Sequence, residues 1–322
     1  IRDSFCTYLF FMSVVIKVDN LSKKFKDFTA VNNLSFTVNK GDVYGFLGQN
    51  GAGKSTTIRM LLTLIKPTTG NITIFEKNLQ TNRKKILQQT GAVIEKPDLY
   101  KYLSAYDNLS IFAKMSGIKS TKLLLMNQLE MVGLAQRAKD KVETFSQGMK
   151  QRLGIAVALV HNPDLIILDE PTNGLDPQGI TDIRNLILSL SKDRGKTVVV
   201  SSHLLSEIEL VANRMIIIHN GRKMVEGNVA ELLDPSKALI QLQTTDDIFA
   251  QQQLQQTKWI QFLQPNTTKL QLVMPKNEVP QLIADLVSKH VQLLSISPMH
   301  ALENYFLSLT NNPTTHVESA AN

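Results

Sequence analysis

The sequence predicts an α/β protein: a covered parallel sheet followed by a small α+β domain. Three observations carry the prediction. The runs Val43–Leu47, Leu165–Leu168, Thr197–Val200 and Met215–Ile218 are almost wholly apolar and are separated by helical patterns, as strands covered on both faces are. A glycine-rich run, Gly48–Ser55, lies between the first of these strands and an amphipathic stretch. Past Pro235 glutamine becomes frequent and the pattern changes to an order of β-α-β-β-α-β.

The elements follow in order. Val14, Ile16 and Val18 alternate, as do Leu34, Phe36 and Val38, which is the two-residue period of half-buried strands. After the Val43–Leu47 strand, Ile58, Leu61, Leu62 and Ile65 recur on one helical face, and Pro67 and Gly70 close that helix. Residues 97–142 read as mostly helical, and Leu153, Ala156, Val157 and Val160 mark a further helix before Pro163 and the Leu165–Leu168 strand. Asn220-Gly221, between Ile216–His219 and Arg222–Val225, is a two-residue hairpin signal. The C-terminal region reads as strand Ile240–Leu242, helix Ile248–Leu254, strands Ile260–Leu263 and Leu270–Met274, a helix carrying Val279, Leu282, Ile283, Leu286 and Val287, and strand Val291–Ile296. Ala301–Leu309 reads as a last short helix and Asn311–Asn322 as a polar tail.

Composition narrows the function classes. Hydrophobic residues are 43% and charged residues 20% of the 322, which excludes a disordered chain. The net charge of +7 suggests an anionic neighbour: nucleotide, membrane surface or nucleic acid. A single cysteine, Cys6, excludes an intrachain disulfide. No stretch approaches the roughly 20 apolar residues of a membrane-spanning helix. Tyr8–Ile16 mimics the core of a signal peptide, but no small-x-small cleavage site follows, and residues 1–11 are read as an extension ahead of Met12.

Gly48-Gln-Asn-Gly-Ala-Gly-Lys-Ser55 fits G-x-x-x-x-G-K-[ST] and has the strand-to-helix context that distinguishes a phosphate-binding loop from an ordinary glycine turn. Its glycines let the backbone wrap phosphates, and the helix start adds its positive end. The loop from Gly48 through Asn50, Gly51, Ala52, Gly53 and Lys54 to Ser55 and Thr56 is therefore expected to bind nucleotide, with Lys54 on the β- and γ-phosphates and Ser55 on Mg²⁺. The Leu165–Leu168 strand ends in Asp169 and Glu170. After a phosphate loop, an acid there holds the metal site, and a second carboxylate can polarise an attacking water.

With these motifs in that order, the chain resembles an ABC ATPase from about Val14 to Glu231. Phe145-Ser146-Gln147-Gly148-Met149 stands in the place of the family signature, departing from Leu-Ser-Gly-Gly-Gln at Phe145, Gln147 and Met149 but keeping Ser146 and Gly148. Gly174-Leu175-Asp176 matches the family's D-loop, and His203 stands in the place of its switch histidine. Phe25 matches the aromatic residue that stacks on adenine, although a plain core aromatic is the competing reading. Glu95 occupies the place where most members carry a metal-ligating glutamine, which is similar to the bacitracin-resistance and lantibiotic-immunity subgroup.

The resemblance implies an ABC ATPase fold: a mixed sheet, an antiparallel β-subdomain and a helical subdomain over 97–160. Expected bounds are 12–234 for the nucleotide-binding domain, 238–310 for a ferredoxin-like accessory domain and 311–322 for a flexible tail. It also implies an ATPase that uses ATP and Mg²⁺ and drives a separate transmembrane permease, an exporter, from the cytoplasmic face. Two copies would sandwich two ATP molecules, with Ser146 and Gly148 of one facing the phosphate loop of the other. A soluble ABC ATPase acting on nucleic acid or ribosomes is the alternative. One cassette and no sustained heptad pattern weigh against it, and no nucleic-acid partner is expected.

Overall fold

Alternating apolar residues at the start of the chain form a long antiparallel hairpin. In the computed structural model, which describes residues 13–233, 237–263 and 270–299, β1 (Val14–Phe25) pairs with β2 (Phe28–Asn39) through Ile16–Val38, Val18–Phe36 and Leu21–Leu34. All six of these side chains are buried. The other edge of β1 takes β4 (Thr69–Ile74), and β5 (Lys77–Asn78) completes a four-stranded antiparallel sheet.

The continuous apolar runs build a second sheet, of order β10-β9-β3-β8-β7-β6. Its parallel strands are β3 (Val43–Leu47), β6 (Thr90–Val93), β7 (Leu165–Leu168), β8 (Thr197–Ser202) and β9 (Arg214–His219). β10 (Arg222–Asn228) returns antiparallel to β9. Asn220 and Gly221 link the two with φ of 47° and 74°, the double left-handed turn that matches strand twist. Rings of Phe36, Tyr44 and Phe46 join the sheets, with centroids 5.0–5.9 Å apart.

The helices of this unit are α1 (Lys54–Leu61), α2 (Arg83–Leu87), α3 (Ala105–Met115), α4 (Lys122–Met131), α5 (Gln147–Leu159), α6 (Pro177–Lys192) and α7 (Leu205–Val211). Helices α3, α4 and α5 pack on one another. α1 stops at Leu61, four residues short of the Ile65 that the periodicity predicts. Thr63 turns left-handed (φ 60°), the Leu64 amide bonds the Arg59 carbonyl at 2.9 Å and the Thr63 amide bonds that of Met60 at 3.1 Å. This is a Schellman stop, with threonine where glycine is usual. Arg83 Nε holds its hydroxyl at 2.6 Å. Leu62 still reaches the core from the turn, so the apolar spacing outlasts the helix.

The first unit ends at Asn228 and the second begins at Val229 with α8 (Val229–Leu232). The second unit has its own core. Its antiparallel sheet has the order β12-β11-β13, from β11 (Lys237–Thr244), β12 (Leu270–Pro275) and β13 (Leu293–Met299). α9 (Asp247–Gln255) and α10 (Val279–Ser288) supply Leu254, Leu282 and Leu286 to a core with Ile240, Leu242 and Leu272.

The predicted strand Ile260–Leu263 is a 3₁₀ turn over Lys258–Phe262, with only a Leu263–Leu272 bridge remaining of the pairing. Trp259 decides this. It is fully buried, its indole N–H donates to Asp285 Oδ2 at 2.9 Å, and its ring meets Phe262 at 6.2 Å, a three-residue spacing that a strand cannot place on one face. The predicted helix Ala301–Leu309, the tail and residues 1–11 lie outside the described residues. Among the described residues no helix is long and apolar enough to cross a membrane.

Arg214 closes the first unit. Its guanidinium meets Asp42 Oδ2 and the Thr37 carbonyl at 3.1 Å each, lies 3.6 Å from Glu226 Oε1, and covers the Tyr44 ring at 5.5 Å. The Tyr44 hydroxyl donates to Glu226 at 2.8 Å, and burial, followed by the Glu226 carboxylate, pushes that phenol well above its ordinary range. Removing the cation leaves the buried Asp42 without an ion-pair partner, while Glu226 keeps Lys223 at 2.9 Å. Arg214→Met is therefore expected to cost about 3 kcal/mol, and Tyr44→Phe about 1 kcal/mol, in urea unfolding. Equal costs would show that the charge network is not what holds these strands.

Candidate active site

The Gly48–Ser55 run leaves β3 and opens α1, as its strand-to-helix context requires. Gly53 caps the helix at φ 105°, no side chain caps it, and no acid stands in its first turn. The first amides of α1 therefore lack helical carbonyls and face no competing anion from their own turn. The loop is braced by its neighbours: the Gly221 amide donates to the Ala52 carbonyl at 2.9 Å, and the Gly48 amide to that of Ser202 at 3.3 Å.

Lys54 is buried, at 4% exposure. Its ammonium donates to the Gly48 carbonyl at 2.6 Å and that of Gln49 at 3.3 Å. Glu170 Oε1 faces it at 3.1 Å, as an ion pair off the line of a hydrogen bond. The other oxygen, Glu170 Oε2, meets His203 Nδ1 at 2.9 Å. Lys54, Glu170 and His203 thus form a continuous chain of contacts.

Asp169 is 1% exposed. Its Oδ1 accepts from the Ser201 hydroxyl at 2.6 Å, while Oδ2 is buried with no hydrogen-bond partner. Glu170 takes φ 49°, uncommon for a residue with a side chain, and its amide donates to the same Ser201 hydroxyl at 2.8 Å. An unpaired buried carboxylate oxygen is costly, so Asp169 Oδ2 is suited to a cation. Ser55 and Thr56 are half-buried in the first turn of α1.

The remaining sequence-predicted residues lie apart from this chain of contacts. Glu95 is exposed, at φ 56°, and forms an ion pair with Arg59 of α1. Phe25 ends β1, exposed, with Lys23 Nζ 4.8 Å from its ring centre. Ser146 caps α5 by accepting from the Met149 amide at 3.3 Å. In the first turn of that helix, Gly148 faces Gly179 and Leu175. Asp176 caps α6, accepting from the Gly179 amide at 2.8 Å ahead of Pro177. Among the described residues, no hydrogen bond or ion pair links these five to Lys54, Asp169, Glu170 or His203. Nor does a ready-made cluster of three metal-ligating side chains occur among the described residues.

Two residues escaped the sequence reading. Ser201 is one. Glu207 of α7 is the other: it accepts from Ser202 Oγ at 2.5 Å and Thr172 Oγ1 at 2.9 Å, tying the loop after Glu170 to the end of β8. The available signal was the pair of hydroxyls ending an otherwise apolar strand, Ser201-Ser202.

Known proteins resemble this chain in sequence and in fold. The family model described as ABC transporter matches residues 31–173. The chain is 40% identical over 312 residues, 96% of it and 100% of the relative, to an uncharacterized ABC transporter ATP-binding protein, YhcH, of Bacillus subtilis strain 168. It is 49% identical over 235 residues, 73% of it and 76% of the relative, to the bacitracin transport ATP-binding protein BcrA of Bacillus licheniformis. A solved dimeric ATP-binding cassette in a post-hydrolysis state with ADP and Pi is similar at TM-score 0.60 and 27% identity, covering 66% of this chain and 98% of that one.

The loop geometry separates two glycines. A Cβ on Gly53 would lie 2.6 Å from the Ala30 carbonyl oxygen, whereas one on Gly51, at φ 84°, would meet nothing within 4 Å. Gly51→Ala should cost about 1 kcal/mol for its left-handed backbone. Gly53→Ala should cost about 3 kcal/mol, since strain and clash coincide. Urea unfolding without nucleotide checks this, and similar costs for the two variants would contradict it.

Proposed function

The chain belongs to the ABC transporter family as an ATP-binding, ATP-hydrolysing cassette, and we propose that it energises a separate membrane permease, an exporter, from the inner face of the membrane. The observation that carries the site reading is the Lys54–Glu170–His203 chain at the mouth of the glycine loop. Beside it lies an unpaired carboxylate oxygen of Asp169.

In this reading the open amides of Lys54, Ser55 and Thr56 at the start of α1, with Gly48, Asn50, Gly51, Ala52 and Gly53 shaping the loop, cradle the phosphates of ATP. The adenine stacks on exposed Phe25. Lys54 exchanges its loop carbonyls and Glu170 for β- and γ-phosphate oxygens. Glu170, released from the lysine but still held by His203, accepts a hydrogen bond from the attacking water. The water oxygen joins the γ-phosphorus as its proton passes to Glu170, the β–γ bridge bond breaks with its electron pair on the ADP oxygen, and Glu170 returns the proton to the products as ADP and phosphate leave. His203 keeps the carboxylate aimed and Lys54 offsets charge as it develops.

Ser55, Asp169 and Glu95 would hold Mg²⁺, which when bound neutralises charge on the phosphate oxygens. The fit rests on hard oxygen donors and on the orphaned Asp169 Oδ2. Glu95 joins them only by leaving Arg59. Ser146 and Gly148, at the capped start of α5, would meet the γ-phosphate of a second copy, with Asp176 bordering that contact. The solved dimeric cassette supports the pairing.

Glu170→Gln tests the reading. The variant should bind ATP and lose turnover by about 100-fold or more, the contribution of a positioned general base. Steady-state hydrolysis and nucleotide binding, measured on the same preparation, check it. Wild-type turnover would sink the assignment.

A further inference from the structure

We infer that Ser201 is a positioning residue of this site; the inference rests on the roles proposed above for Asp169 and Glu170. Ser201 lies near the end of β8 and is completely buried, at 0% exposure. A serine hydroxyl has one proton to give and lone pairs to accept with, and here it does both. The proton goes to Asp169 Oδ1 at 2.6 Å, and the oxygen accepts the Glu170 amide at 2.8 Å. A single atom thereby fixes two consecutive acids that carry different tasks.

Two consequences follow from that geometry. With Oδ1 tied, the buried oxygen of Asp169 left over is Oδ2. Ser201 therefore selects which oxygen, and which carboxylate rotation, is presented to a cation. The second bond acts on the backbone. Glu170 stands at φ 49°, a conformation that persists where its surroundings over-determine it. Its amide is held by Ser201 and its carbonyl by the Asn173 amide at 3.2 Å. The root of the Glu170 side chain is thus set between Lys54 and His203 from below, while its carboxylate is set by those two residues from above.

A hydroxyl that only fills a buried hydrogen-bonding need would affect folding and nucleotide binding together. A positioning hydroxyl affects the metal and the chemical step and leaves metal-free nucleotide binding alone. Ser201→Ala and Ser201→Thr in the full chain separate these, measured beside Asp169→Asn and Glu170→Gln. The readouts are kcat, Mn²⁺ affinity of the complex with a non-hydrolysable ATP analogue followed by electron paramagnetic resonance, and analogue binding in EDTA.

Ser201→Ala should lower kcat and Mn²⁺ affinity each by about 10- to 100-fold, with analogue binding in EDTA unchanged. Ser201→Thr, which keeps the hydroxyl, should restore both. Where the added methyl prevents Ser201→Thr from folding, the Mn²⁺ and EDTA measurements on Ser201→Ala decide alone. Wild-type kcat and Mn²⁺ affinity in Ser201→Ala overturns the inference, as does loss of EDTA binding in step with kcat. If Asp169→Asn and Glu170→Gln lose turnover while Ser201→Ala keeps it, only the Ser201 inference falls. If those two also turn over normally, the reading of the acids falls and takes the inference with it.

Discussion

A lysine ammonium with 4% exposure, held inside a glycine loop, is the constraint on which the rest of the site depends. A charge removed from water needs partners close by, or the group neutralises or the fold gives way. Two loop carbonyls supply part of the compensation, and a carboxylate from the loop after β7 supplies the rest. The sheet order explains where that carboxylate comes from. β8 lies between β3, which leads into the loop, and β7, which ends in the acids. Glu170 reaches Lys54 past the end of β8, so the last residues of β8 and the loop after it occupy the intervening space. Those residues are Ser201, Ser202 and His203, and each is bonded to an acid: Asp169, Glu207 and Glu170 respectively.

The same logic accounts for the left-handed backbone at Glu170. A strand ending in two successive acids would ordinarily send their side chains to opposite faces. Turning the second residue to φ 49° breaks that alternation. Asp169 can then stay buried against Ser201 while Glu170 meets Lys54 and His203. Backbone strain and a buried charge are held at one place because hydrogen bonds from a neighbouring strand fix both.

Farther out, the fold joins two sheets of different character. The antiparallel sheet contributes Phe36 and the parallel sheet Tyr44 and Phe46 to one aromatic contact. Arg214 and its two acids flank that junction at the Tyr44 ring. The glycine turn of the β9–β10 hairpin belongs to the same frame, since Gly221 donates to the Ala52 carbonyl of the phosphate loop. A turn legible as a hairpin thereby also serves as a brace for the loop.

Strands buried on both faces were legible because burial requires unbroken apolar runs. β3, β7, β8 and β9 lie where such runs stand. The β4, β5 and β6 strands gave no such signal: β4 carries Gly70 and Asn71, β5 has two residues, and β6 reads Thr-Gly-Ala-Val with a single large apolar side chain. The glycine loop and the acid pair after Leu168 were visible as motifs, because phosphate-loop geometry demands glycines at fixed spacing. Tertiary structure alone decided the rest. It ended α1 at Leu61 through Thr63 and Arg83, made a 3₁₀ turn around Trp259, and gave Glu95 to Arg59. It also placed Ser201 under both acids. Each outcome depends on which side chain from a distant segment arrives at hydrogen-bonding distance, and local periodicity holds no information about that.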